Sequence, residues 1–285
     1  MTTHISIAYS PDTDDQFMIL ALRDRHIPWG SFTFEFVVDD IQNLNTAALN
    51  QTYDITAISI GAYPTLSQNY LLMSMGASIG DEFGPALVTS PTSYVTDVQQ
   101  LKGRRVAVPG LNTSAHMASQ ALFGPFEAVP MYFMDIGSAV LKGDVDAGIL
   151  IHELQMNPES QGLKKLTDLG RLWFDRFQLP LPLGANAIRR SLGTDVITEL
   201  GQIYRKSIEY GLASRSTSIA KAVQSAAAKE TLNQTLGEKY ISMYVNERSL
   251  KLQKDTLRGI ETLFEMGAQC GLIDRVDLSG LLAPG

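Results

Sequence analysis

The sequence predicts an α/β protein of two similar lobes, and three observations predict it. Short apolar runs alternate with helical ones from the N-terminus to about residue 190. Two stretches of that alternation resemble each other at a spacing of about a hundred residues. After about residue 192 the pattern becomes almost wholly helical. Strand–helix alternation argues for mostly parallel sheets joined by helical crossovers.

The strand-like runs are Ile5 to Tyr9, Thr33 to Val38, Ile55 to Ile60, Ala86 to Thr89, Arg105 to Val108 and Gly148 to Ile151. Each is short and rich in apolar or β-branched residues. Helical periodicity fills Phe17 to Leu22, Ile41 to Leu49, Ser114 to Leu122 and Gly137 to Leu141. Longer amphipathic runs follow at Val196 to Leu212, Ser218 to Leu232 and Asp255 to Gln269.

The internal repeat organises these elements. Asp12-Thr13-Asp14 before a helix ending Ala21-Leu22 parallels Asn112-Thr113-Ser114 before one ending Ala121-Leu122. Asp54 enters a buried strand as Asp146 does. Two lobes facing each other across a cleft are therefore expected, with crossings near Ser90 to Val98 and Gln178 to Gly184. The second crossing carries Pro180 and Pro182, as a restrained connector would. The expected division is a discontinuous large lobe, residues 1–94 and 183–285, and a small lobe, residues 95–182. Open α/β sheets bind ligands at strand ends, which draws attention to Ser59 and His152.

Composition narrows the function. The chain has 285 residues, 45% hydrophobic and 19% charged, as a globular protein has. Its net charge of −7 opposes binding to nucleic acid or anionic membranes. An anionic small molecule would need a local nest of N–H groups. Cys270 is the single cysteine, so neither an intrachain disulfide nor a cysteine zinc site is expected. The start lacks a basic segment followed by an apolar one, and no run suffices to span a bilayer, which suggests a cytoplasmic protein. The histidines, His4, His26, His116 and His152, have no metal-ligand spacing, and nucleotide-binding and serine-hydrolase motifs are absent.

Three constellations remain. Ser10-Pro11-Asp12-Thr13-Asp14-Asp15 leaves the first strand and opens a helix. Capping uses part of this loop, and its remaining polar groups suit ligand hydroxyls better than an anion. Gly110-Leu111-Asn112-Thr113-Ser114 follows another strand and also opens a helix. Free N–H groups and the helix dipole make such a start a carboxylate or phosphate site, or a cap alone. His152 ends the apolar run from Ala147 to Ile151. A histidine at the mouth of a buried strand is either a general base or a structural residue, and Glu153 either orients it or faces solvent. His116 reads as packed or exposed, and Trp173 and Phe174 as core or as an aromatic pocket wall.

Several of these pieces together resemble the menaquinone-biosynthesis enzymes of the futalosine pathway, and within them the 1,4-dihydroxy-6-naphthoate synthases. The pieces are Ser10-Pro11 with Asp14-Asp15, Asp40 with Leu44-Asn45, Gly84-Pro85, Arg105 to Gly110, and Ala147 to Glu153. Leu179-Pro180-Leu181-Pro182-Leu183-Gly184 and Tyr244-Val245-Asn246 with Ser249-Leu250 complete the set. The resemblance implies the fold of type II periplasmic binding proteins, two lobes around a ligand cleft. It implies a lyase that cleaves cyclic dehypoxanthine futalosine to 1,4-dihydroxy-6-naphthoate with no metal or redox cofactor. His152 matches the family's proposed base. Ser59 and Ser114 match hydroxyl positions in the family's ligand cleft, with Thr113 beside the latter. Ser10, Asp14 and Ile151 are further expected substrate contacts, and the expected partner is a small carboxylate. The family's first loop commonly reads Ser-Pro-Cys-Pro-Asn-Asp, where this chain has Asp12, Thr13 and Asp14. The alternatives are a non-catalytic solute-binding protein, or a chorismate dehydratase of the same pathway. Oligomeric state is left open.

Overall fold

The computed structural model describes residues 2–225 and 234–284, and two compact units emerge. The first comprises Met1–Ile79, Gly184–Gln253 and Asp277–Gly285, the second Gly80–Leu183 and Lys254–Val276. The expected division differs at two places. Residues 80–94 and the helix Lys254–Gln269 pack with the second unit, not the first. The reason is side-chain fit: this helix lays Gly259 against Pro180 and Pro182 and Gly267 against Met117, all in the second unit.

In the first unit the strand Thr3–Tyr9 lies between Phe32–Val38 and Ile55–Ser59, parallel to both. Beyond Ile55–Ser59 runs Leu181–Arg189, antiparallel, and then Tyr70–Leu72. Between the first two strands lies the helix Thr13–Arg23, whose residues Thr13 to Leu22 are all buried. It is covered by the helices Thr194–Ala213, Arg215–Ser225 and Gln234–Tyr244. The Ser207 hydroxyl stitches two of these together, donating to Met18 O and accepting from Leu22 N–H. The core joins Ile5, Ile7, Phe17, Met18 and Ile19 to Leu200, Tyr204, Ile208 and Ile241.

In the second unit the strand order is Lys164–Asp168, Ala86–Thr89, Ala147–Leu150, Arg105–Val108, Glu127–Pro130. The last three are parallel, and Ala86–Thr89 and Lys164–Asp168 are antiparallel to their neighbours. Both sheets are thus mixed rather than mostly parallel. The exceptions have one origin. The strand with which the chain enters each unit, Ala86–Thr89 or the segment from Gly184, runs against the buried strand it meets.

The expected strands and helices are present with their ends moved by a few residues. The helical run expected over Ser218 to Leu232 is helix as far as Ser225, and its remainder lies outside the described residues. Four short strands, Tyr70–Leu72, Ser78–Gly80, Glu127–Pro130 and Lys164–Asp168, have no counterpart in the sequence reading. Nor has the helix Leu169–Phe177. The segment expected as a connector near Gln178 to Gly184 leads into a nine-residue strand. No helix of the described residues is long and apolar enough to cross a membrane.

Candidate functional site

In each unit the candidate residues gather at the carboxyl ends of parallel strands, where helix N-termini also lie. In the first unit Tyr9 hands the chain to Ser10, and the neighbouring parallel strand ends at Ser59. Ser10 is buried, with its N–H donating to Asp15 Oδ2 at 3.0 Å and its hydroxyl accepting from Asp12 N–H at 3.2 Å. Asp12 occupies the N-cap of the helix, in extended backbone and without a side-chain capping bond. Asp14 is buried and accepts from the Ser78 hydroxyl. Ser59 donates its N–H to Asn45 Oδ1 at 2.9 Å, which ties the strand end to the helix Ile41–Leu49.

Burial pushes the Asp15 carboxyl above the usual carboxylate range, against the opposing pull of its bonds from Ser10. Tyr204, also fully buried, is raised well above an ordinary phenol by desolvation and by the nearby Asp15. This part of the unit therefore favours uncharged forms.

In the second unit Val108 leads through Pro109 and Gly110 to the helix Ser114–Phe123. Thr113 is its N-cap: the hydroxyl accepts from His116 N–H at 3.2 Å and donates to Gly110 O at 2.7 Å. Ser114 donates its hydroxyl to Leu183 O at 2.6 Å. Thr113 and Ser114 thus shape the helix start as well as bordering it. His116 is buried, holds Leu111 O with Nδ1 at 2.9 Å, and meets Phe126 edge-on. Desolvation lowers its pKa, as suits a neutral packed ring. Trp173 is fully buried against Phe177, which assigns it to the core rather than a pocket wall.

The strand Ala147–Leu150 lies beside Arg105–Val108 and parallel to it, so its exit opens at the same sheet edge as that helix start. Ile151 is half-buried in extended backbone. At His152 the chain turns, with φ at +45°, a left-handed conformation that few side chains other than glycine adopt. Backbone of this kind persists where the surroundings enforce it, often at functional sites. The His152 side chain is 1% exposed and its Nδ1 lies 3.4 Å from Glu153 Oε2, itself on a side chain 3% exposed. Nε2 is buried with no hydrogen-bond partner among the described residues. Phe133 presses edge-on against the ring, with centroids 4.1 Å apart and planes at 74°.

Within each unit, then, the structure brings together Ser10, Asp14 and Ser59, and Thr113, Ser114, Ile151 and His152. Three partners, Asn45, Ser78 and Phe133, are not legible as such in the sequence, which leaves Glu153 either orienting His152 or facing solvent. Asn45 carried a hint, standing in a segment that contributed to the resemblance. Ser78 and Phe133 carried none, because nothing local marks a residue that folds back onto a distant strand end. Glu153 was visible, but its burial was not. No group of three or more His, Cys, Asp or Glu among the described residues has the arrangement of a metal site.

A family model described as menaquinone biosynthesis matches residues 5–269. A 1,4-dihydroxy-6-naphthoate synthase of Streptomyces coelicolor is 30% identical, over 98% of this chain and 98% of its own. One from Thermus thermophilus is 31% identical, over 94% and 95%. Among solved structures, a protein of Archaeoglobus fulgidus superposes with a TM-score of 0.87 at 37% identity, covering 95% of this chain and 98% of that one. An alkanesulfonate-binding protein of Xanthomonas axonopodis superposes with a TM-score of 0.74 over 98% of both chains, but at 13% identity it shares the fold alone. The fold is that of the periplasmic binding proteins.

Proposed function

Because the chain belongs to the menaquinone-biosynthesis family, we propose that it is a lyase converting cyclic dehypoxanthine futalosine to 1,4-dihydroxy-6-naphthoate, with His152 as its general base. One observation carries the reading: a buried imidazole at a strand mouth, one nitrogen facing a carboxylate and the other buried and unpartnered. A base so placed removes a carbon-bound proton, and the electron pair left behind expels the sugar-derived fragment as the ring becomes aromatic. The helix start at Thr113 and Ser114 suits the aromatic carboxylate, since Thr113 preorganises the first turn. Ser10, Asp14 and Ser59 suit neutral hydroxyls. A carboxylate is poorly matched to Asp14, and burial already works against charge at Asp15. Near-full-length similarity to two naphthoate synthases favours this activity over chorismate dehydration.

The test is incubation with cyclic dehypoxanthine futalosine and chromatography for the naphthoate. His152→Asn is expected to fold and to bind substrate, while turnover falls roughly a hundredfold or more, as on loss of a general base. Turnover near that of the wild type in this variant would remove His152 from the reaction.

A further inference from the structure

We propose that Glu153 is a positioning residue, which holds the proton on His152 Nδ1 and thereby leaves Nε2 as the base. The proposal rests on the reading of His152 given above and assigns the next residue its part.

Consecutive side chains of a strand point to opposite faces, so neighbours in sequence do not normally meet. Here they do, because the backbone at His152 is left-handed and enters a 3-10 turn, His152–Met156. The unusual φ has a consequence: it places Glu153 Oε2 3.4 Å from His152 Nδ1, with both side chains out of solvent. Taken as a carboxylate, Glu153 only accepts hydrogen bonds, so that the ring nitrogen beside it carries the hydrogen. A neutral imidazole has one N–H, and Nε2 is then left with its lone pair. That atom is buried and unpartnered among the described residues. Phe133, edge-on at 4.1 Å, restricts rotation that would exchange the two nitrogens.

The pairing also serves the next moment of the reaction. When Nε2 takes a proton the ring becomes a cation, and Glu153 supplies the opposite charge where water is excluded. Catalytic hydrogen bonds are often long before substrate arrives, so 3.4 Å is compatible with this role.

The tautomer is directly observable. In protein labelled with ¹⁵N-histidine, magnetic resonance should find His152 with hydrogen on Nδ1 and none on Nε2 in the neutral ring. Glu153→Ala should give a mixture of tautomers. It should lower kcat about tenfold or more, with KM within about twofold, a fraction of the loss on removing the base itself. Glu153→Gln, which keeps an acceptor and loses the charge, should retain the tautomer and recover part of kcat. A wild-type ring protonated on Nε2 overturns the proposal, as does an unchanged tautomer in Glu153→Ala. If Glu153→Ala does not fold, the wild-type spectrum and Glu153→Gln still decide it. The spectrum needs no substrate. A wild-type protein that forms no naphthoate would therefore sink the proposed reaction and leave the tautomer assignment standing.

Discussion

Asp15 shows what burial does to a carboxyl group within a helix packed on all sides. Its pKa is raised in the folded protein, chiefly by desolvation, above the value of about 3.9 that it has in an unfolded chain. A raised value means that the folded state holds the proton more tightly. The stabilisation is complete at pH below the unfolded value and is lost as pH rises through the folded one. Asp15→Asn keeps an acceptor for Ser10 N–H and removes the titration. The urea midpoint of this variant should therefore gain on the wild type as pH is raised from 4 towards 7. A gap that stays constant with pH would show that burial does not shift this group. At this scale the sequence revealed residues whose position along the chain announces them. Ser10 and His152 each follow an apolar run, Ser59 stands near the end of another, and Thr113 stands before a helix. It could not reveal Ser78 on Asp14 or Phe133 on His152, since those contacts are made by folding alone. Glu153 misleads for a different reason. A charged residue after a buried strand ordinarily marks the return to solvent, and only the turn at His152 keeps it inside.

The repeat acquires a physical meaning among the elements. Asp54 Oδ2 accepts from Ser6 N–H at 2.9 Å, and Asp146 Oδ2 accepts from Arg105 N–H at 3.0 Å. Each aspartate thus ties the start of its unit's buried strand to the strand beside it. The likeness extends to the strand with which the chain enters each unit, which flanks Ile55–Ser59 or Ala147–Leu150 antiparallel. The strands that were legible in the sequence are runs rich in β-branched and apolar residues, whether buried on both faces as Ile55–Ser59 is or half-exposed as Phe32–Val38 is. Of those that were not, Tyr70–Leu72 and Ser78–Gly80 are only three residues long, and polar residues dilute the pattern in Lys164–Asp168. The nine-residue Leu181–Arg189 is masked by Pro182 and Gly184, which read as a connector. Gly148 shows why the buried strand behind His152 has its composition. A Cβ there would stand 2.5 Å from Ile136 Cγ2 and 2.9 Å from Val140 Cγ2, on the helix Ile136–Lys142. Gly148→Ala should cost about 1–3 kcal/mol in urea unfolding, the usual range for overpacking. If the helix is forced aside, His152 moves with the strand, and turnover should fall in the same variant. A variant as stable as the wild type would mean that the helix yields freely.

At the scale of the whole molecule, chain order misled where packing decides. The sequence places every residue after 183 in one lobe, because the helices there form a single uninterrupted pattern. Yet Lys254–Gln269 belongs with the second unit, so the chain passes between the units more often than two crossings allow. The cause lies in its inner face. Gly259 permits an approach at which a Cβ would stand 2.6 Å from Pro180 O and 3.3 Å from Pro182 Cγ. This helix also packs against Ser114–Phe123, the helix whose start borders the His152 strand end. The Leu179 to Gly184 piece that contributed to the resemblance is thus a docking surface for a helix as well as a link. Gly259→Val tests the assignment, because the obstructing atom is backbone and cannot swing aside. Hydrogen exchange should speed up in Ser114–Phe123 and in Lys254–Gln269 itself. The helix Thr13–Arg23, buried in the other unit, should keep its protection. Faster exchange in Thr13–Arg23 with Ser114–Phe123 unchanged would return the C-terminal helix to the first unit, where its place in the sequence had put it.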